Sequence, residues 1–204
     1  MRVSALLVSL AALLGACASE PAPPLDRARL AADWHAWVAS RDSLFRSEAS
    51  PLPDTAGFEG LTYFPYDSSL ALPAQFVPTL DETPVSFPTT TGDLRPMVSA
   101  GHLVFEIDGV QRRLEAFRPV VPGGGAPPSL FVPFRDATSG RATYGGGRYL
   151  DLDDEPSGRY ALDLNRAYHP YCVYDAAFSC PLPPAENTLS LAVTAGERLP
   201  HGDV

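Results

Sequence analysis

Acidic, amide and guanidinium side chains crowd the stretch from Phe131 to Glu197. Asp136, Arg148, Asp163, Asn165, Tyr168, Glu186, Asn187 and Glu197 all fall there, with Tyr144 just before the glycine run Gly145–Gly147. A carboxylate held beside Tyr and Arg can act as general acid or base, or clamp a polar ligand. On an enzymatic, hydrolase-like reading, Asp163 or Glu186 is the base while Tyr168 and Arg148 position the substrate. On a binding reading, Asp136, Tyr144, Arg148, Asp163, Asn165, Tyr168, Asn187 and Glu197 receive a small polar or saccharide-like ligand. The same residue types also pin Pro-rich loops through Arg–carboxylate pairs and Asx turns, which is their commoner use. A structural envelope protein with no ligand is therefore a third reading. No Gly-x-Ser-x-Gly or His-Glu-x-x-His motif occurs, and Gly145–Gly147 lacks the strand–helix context of a phosphate cradle.

Mostly strands must position these groups. Leu103, Phe105 and Ile107 alternate with Val104 and Glu106, and Asp108-Gly109 then supplies a two-residue type I′ turn. That hairpin sets Phe105 opposite Arg112 and Leu103 opposite Leu114. An arginine on the apolar face then requires either a bulge or a partner. Further strands are expected at Leu130–Phe134, Tyr149–Asp153, Tyr160–Leu164 and Leu189–Val193, with a Gly-Pro-rich break at Pro122–Pro128. If Tyr149–Asp153 pairs with Tyr160–Leu164, matching Leu150 to Leu162 and Leu152 to Tyr160 keeps one face apolar. Asp163, Asn165 and Tyr149 then line the other face, and Asp163 stands opposite Tyr149. The fold class is mainly β, an antiparallel sandwich or partly open barrel.

One amphipathic helix precedes the sheet, within 25–50. Leu30, Trp34, Trp37, Val38, Leu44 and Phe45 recur at three- and four-residue steps over Leu25–Arg46, and Pro51 and Pro53 close it. Its aromatic stripe is read as the face that docks on the β domain, residues 57–199.

Phe131, Pro133, Phe134, Asp136, Thr138-Ser139-Gly140 and Thr143-Tyr144 lead into Gly145–Leu150. Asp163, Asn165, Ala167-Tyr168, Pro170-Tyr171-Cys172, Cys180, Pro183-Pro184, Glu186-Asn187 and Glu197 follow in order. These runs resemble the domain-of-unknown-function family 1684 of bacteria and archaea. Trp34, Arg41 and Leu61–Pro65 extend the likeness over nearly the whole chain after the signal. Leu164 replaces a Phe of the family pattern, which is neutral for packing. His169 replaces an Asn, which is not neutral chemically. The resemblance implies a shared fold and no particular activity.

Met1–Ala16 reads as an export signal, with Arg2, an apolar run Ala5–Leu14 and small residues up to Cys17. Leu14-Gly15-Ala16-Cys17 has the lipobox pattern, in which Cys17 carries the lipid and residues 17–24 form a Pro-rich tether. Ala18 rather than Asp after the cysteine points to the periplasmic face of an outer membrane, so the expected location is the cell envelope. The net charge is −9 and there is no lysine. So acidic a surface argues against nucleic-acid partners, and the missing lysine excludes Schiff-base chemistry and a P-loop.

With Cys17 lipidated outside the cytoplasm, Cys172 and Cys180 are expected to form a disulfide. Its nine-residue loop would contribute ~2.6 kcal/mol in the chain-entropy picture. The rival arrangement, His169-x2-Cys172-x7-Cys180 around a metal, matches no zinc spacing, so no metal or cofactor is expected.

Overall fold

The computed structural model describes residues 24–81, 83–120 and 129–200. The export signal, Cys17, most of the tether, the Pro122–Pro128 break and His201 lie outside them. Helix α1 spans Arg27–Phe45, with the Asp26 carboxylate accepting from the Arg29 N–H at 3.0 Å as its N-cap. Trp34 and Phe45 are buried, while Leu30, Trp37, Val38 and Leu44 are half-buried. The stripe docks as its spacing requires, and the Trp34 indole N–H donates to the Asn165 carbonyl at 2.9 Å.

Seven strands form one curled antiparallel sheet, a half-barrel. They are β1 (Ala71–Pro78), β2 (Pro84–Pro88), β3 (Leu94–Ile107), β4 (Val110–Pro119), β5 (Ser129–Phe134), β6 (Arg148–Asp153) and β7 (Arg159–Asp163). Their order is β6-β5-β4-β3-β1-β7, with β2 added alongside β3. The hairpin forms in the register its alternation dictates, Phe105 against Arg112 and Leu103 against Leu114. Asp108 and Gly109 take the positive φ values, 54° and 72°, that a type I′ turn needs. Arg112 stays half-buried, and its Nε finds no hydrogen-bond partner among the described residues.

The long strand β3 bends at an irregularity between Ser99 and Gly101, which lets one strand pair with β2 at its start and β1 at its end. Gly101 has φ +135°, and a Cβ there would lie 2.2 Å from the Val77 carbonyl oxygen. Only glycine lets β1 come that close. The inner face packs Leu72, Leu103, Leu114, Leu130, Val132, Leu150 and Leu162 into the main core. Phe87, Met97 and Phe117 form a second, smaller cluster, with Phe131 against it.

Two expectations need correction. Strand β6 pairs with β5 (Leu150 against Val132), and β7 pairs with β1 (Leu162 against Leu72), so β6 and β7 are opposite edges of the sheet. Both pairings keep leucines facing the core, so apolar matching alone could not tell them apart. The chain does return to β6, but five residues later than expected: Tyr168, not Asp163, bridges to Tyr149. Leu189–Val193 is no sheet strand. It lies against Arg135–Ala137 through isolated bonds, Leu189 N–H to the Arg135 carbonyl and Ala137 N–H to the Leu191 carbonyl, each within 2.9 Å. Leu30 and Asp33 of α1 reach the gap between the β6 and β7 edges, so the helix covers the seam of the half-barrel.

Candidate functional site, an aromatic cleft beside the seam

Most of the polar groups singled out in the sequence are buried and bonded to one another. Arg148 is fully buried and pairs with Asp136 at 2.9 Å. It also donates to the carbonyls of Val193 (2.8 Å), Ala195 and Glu197 (3.2 Å). The other Asp136 oxygen accepts from the N–H groups of Thr138 (2.8 Å) and Val193 (3.2 Å). Five backbone groups that no ladder serves are thus satisfied by one ion pair.

Asn187 does the same between strands. It accepts from Glu115 N–H at 2.7 Å and donates to the carbonyls of Glu115 (2.8 Å) and Pro133 (2.7 Å). Asn165 brackets Asp67 in the same manner, accepting from its N–H at 2.9 Å and donating to its carbonyl at 2.8 Å. Asp163 accepts from the Asn165 backbone and side chain at 3.0 and 2.7 Å, while its Oδ2 is buried with no hydrogen-bond partner among the described residues. Burial pushes the Asp163 carboxyl above its ordinary range.

Glu197 is the hub of a third network. It accepts from Arg41 Nε, from His169 N–H at 2.7 Å and from the Tyr174 hydroxyl at 3.1 Å. Burial disfavours charge on Arg41, but Glu197 outweighs it and holds the guanidinium above its usual value. His169 is pushed down to about 3 by burial, then by Arg148 and Arg41. Its ring is therefore neutral. Nε2 accepts from Tyr144 N–H at 3.3 Å, which places the proton on Nδ1, 3.9 Å from Glu197.

The expected Cys172–Cys180 disulfide is not formed: both thiols are free, with Cys172 N–H pointing at Cys180 Sγ from 3.2 Å. The loop is held closed instead by turns, including Val173 N–H to the Pro170 carbonyl and Phe178 N–H to the Asp175 carbonyl. Burial pushes the Cys180 thiol up to about 12, so it is no thiolate near neutrality. Among the described residues no set of three His, Cys, Asp or Glu side chains is arranged to hold a metal ion.

The enzymatic foursome is not brought together. Arg148 is enclosed in the core, Asp163 lines the small gap under α1, and exposed Glu186 borders a trough beside Phe87 and Phe117. Glu186 and Tyr168 open on separate cavities, of about 520 and 380 Å³, and Tyr168 lies on the aromatic one. Its hydroxyl donates to Asp151 at 2.6 Å, and its ring lies 4.6 Å from the Arg41 guanidinium. Three parts of the chain build the walls. Trp37 and Arg41, four residues apart, share a helix face. Tyr149 and Asp151, two apart on β6, share the outer face of the sheet. Arg95 comes from β3, and Tyr171, Phe178 and Ser179 from the loop that follows Tyr168.

Crowding by neighbouring atoms pushes the Asp151 carboxyl up, while Tyr168, Arg41 and Arg166 pull the other way. Burial raises the Tyr168 hydroxyl far above its ordinary value, so it stays a donor. Tyr144 lies outside this cleft, against His169 and, at 4.0 Å, Cys172 Sγ.

Asp151, Trp37, Arg41 and Arg95 are the residues that sequence reasoning missed. Alternation in β6 carried a signal for the first of them, because Asp151 falls on the same face as Tyr149.

The architecture is that of a half-barrel whose open seam is covered by one amphipathic helix. Residues 56–198 match the family described as "Protein of unknown function (DUF1684)", and the chain belongs to that family. An uncharacterized protein of Haloarcula marismortui, solved by solution NMR, is similar at 38% identity with a TM-score of 0.67. The match covers 85% of this chain and 96% of that one. No match was found among curated proteins.

Proposed function

We propose that the protein is an exported, lipid-anchored module of the cell envelope that binds a small polar or saccharide-like ligand in the aromatic cleft. The observation that carries the binding reading is the cleft itself. Trp37, Tyr149, Tyr168, Tyr171 and Phe178 surround a few polar groups there, the combination by which small-molecule sites grip and orient a ligand. Binding is favoured over hydrolysis because Asp151 is the one carboxylate lining the cleft among the described residues. Carboxylate-driven glycoside hydrolysis ordinarily uses two.

A thermal-shift and NMR screen of the purified chain against oligosaccharides and polar metabolites tests this reading. At least one hit is expected, with perturbed Tyr168 and Trp37 signals, and Trp37→Ala is expected to abolish it. Hits that survive Trp37→Ala would move the site elsewhere.

The anchor rests on the Leu14–Cys17 pattern at the start of the chain. No described helix is long and apolar enough to cross a membrane. Labelled palmitate is expected to enter the wild-type protein in a diderm host and not Cys17→Ser. Equal labelling of the two would remove the lipoprotein reading.

A further inference from the structure

We infer that the cleft selects an acidic sugar, a hexuronate, whose carboxylate is received by Arg41 and Arg95 while its ring rests on the aromatic wall. This inference rests on the ligand-binding reading and narrows it to one chemical class.

Arg41 is fixed before any ligand arrives. Its guanidinium lies 4.6 Å from the Tyr168 ring and 5.5 Å from those of Trp37 and Phe45, and Glu197 holds Nε. Nη2 is buried with no hydrogen-bond partner among the described residues, and the side chain lines the cleft. A planar cation clamped in this way loses little freedom when it meets a carboxylate. Arg95 stands on the same cleft, exposed on β3, in a chain whose net charge is −9. Glu197 balances Arg41 and Asp151 shares the lining, so the draw on an anion comes from Arg95, which no ion pair joins to a described carboxylate.

The rest of the lining decides what kind of anion. Asp151, the Tyr168 hydroxyl and the Ser179 hydroxyl offer hydrogen bonds that a simple aromatic acid has no hydroxyls to use. A neutral hexose would use those groups and the rings but leave Arg95 without a partner. A hexuronate uses both sets.

Calorimetric titration of the full chain with methyl glucuronide and methyl galacturonide, beside the matching neutral methyl glycosides, tests this. The acidic sugars are expected to bind at least tenfold more tightly than their neutral counterparts, and Arg95→Gln to weaken uronide binding about tenfold. Equal affinity for neutral and acidic sugars overturns the inference and leaves the ligand-binding reading standing. An unchanged uronide affinity in Arg95→Gln also overturns it. No binding of any of the four sugars, with neutral oligosaccharides still giving hits at Trp37, ends the acidic-sugar inference alone. No binding of any sugar or metabolite ends both.

Discussion

Arg148→Met is expected to lower the unfolding free energy by about 3–5 kcal/mol, the cost of leaving one member of a buried ion pair alone. The Asp136 carboxylate would stay in a site whose side chain is 1% exposed, with no counter-charge. The carbonyls of Val193, Ala195 and Glu197 would lose their donor at the same time. Methionine fills much of the volume, so the loss is electrostatic and hydrogen-bonding rather than a cavity effect. For a domain of this size the thermal midpoint should fall by roughly 10 °C or more. Glu186→Ala, at an exposed position, should stay within about 0.5 kcal/mol of wild type. Thermal denaturation of the two variants decides the matter. An unchanged midpoint in Arg148→Met, together with lost ligand capture, would return Arg148 from scaffold to site.

That contrast shows how far the residue pattern reaches. The Asp108-Gly109 hairpin is legible because turn and alternation lie within a dozen consecutive residues and agree with each other. The docking helix is legible for the same reason, from its stripe and the prolines beyond it. The pairing of β6 and β7 is not. Each strand has leucines that suit several partners, and the partner actually chosen depends on how the whole sheet curls.

Polar residues show a similar limit. Arg148, Asp136, Asn165 and Asn187 stand out by type, but the pattern does not tell whether their bonds point at a ligand or at stray backbone. The structure gives nearly all of those bonds to backbone and to one another. The cleft was hidden by distance along the chain, since Trp37, Arg95 and Asp151 belong to segments that no local pattern connects.

Acidification should destabilise the protein through His169, and His169→Asn should remove that part of the response. In the folded state the ring is 1% exposed and its pKa is held down to about 3, whereas an unfolded histidine titrates near 6.5. Below about pH 6.5 the unfolded chain therefore binds a proton that the native state refuses, so stability falls as pH falls. The slope approaches 1.4 kcal/mol per pH unit, which amounts to about 2 kcal/mol between pH 7 and pH 5. Asp163 and Glu197 act in the opposite sense. Their raised folded values make the native state bind protons more readily, so their contribution grows as pH falls through the carboxylate range. Comparing wild type with His169→Asn cancels the carboxylates and leaves the histidine alone. Asparagine ends where Nδ1 stands, short of the Tyr144 N–H that Nε2 accepts, and the loss of that bond is the same at every pH. Urea denaturation at a series of pH values should show wild type losing about 2 kcal/mol more than the variant between pH 7 and pH 5. Parallel curves over that range would mean that His169 is protonated inside the fold, and the hydrogen bond from Tyr144 to its Nε2 could not then exist.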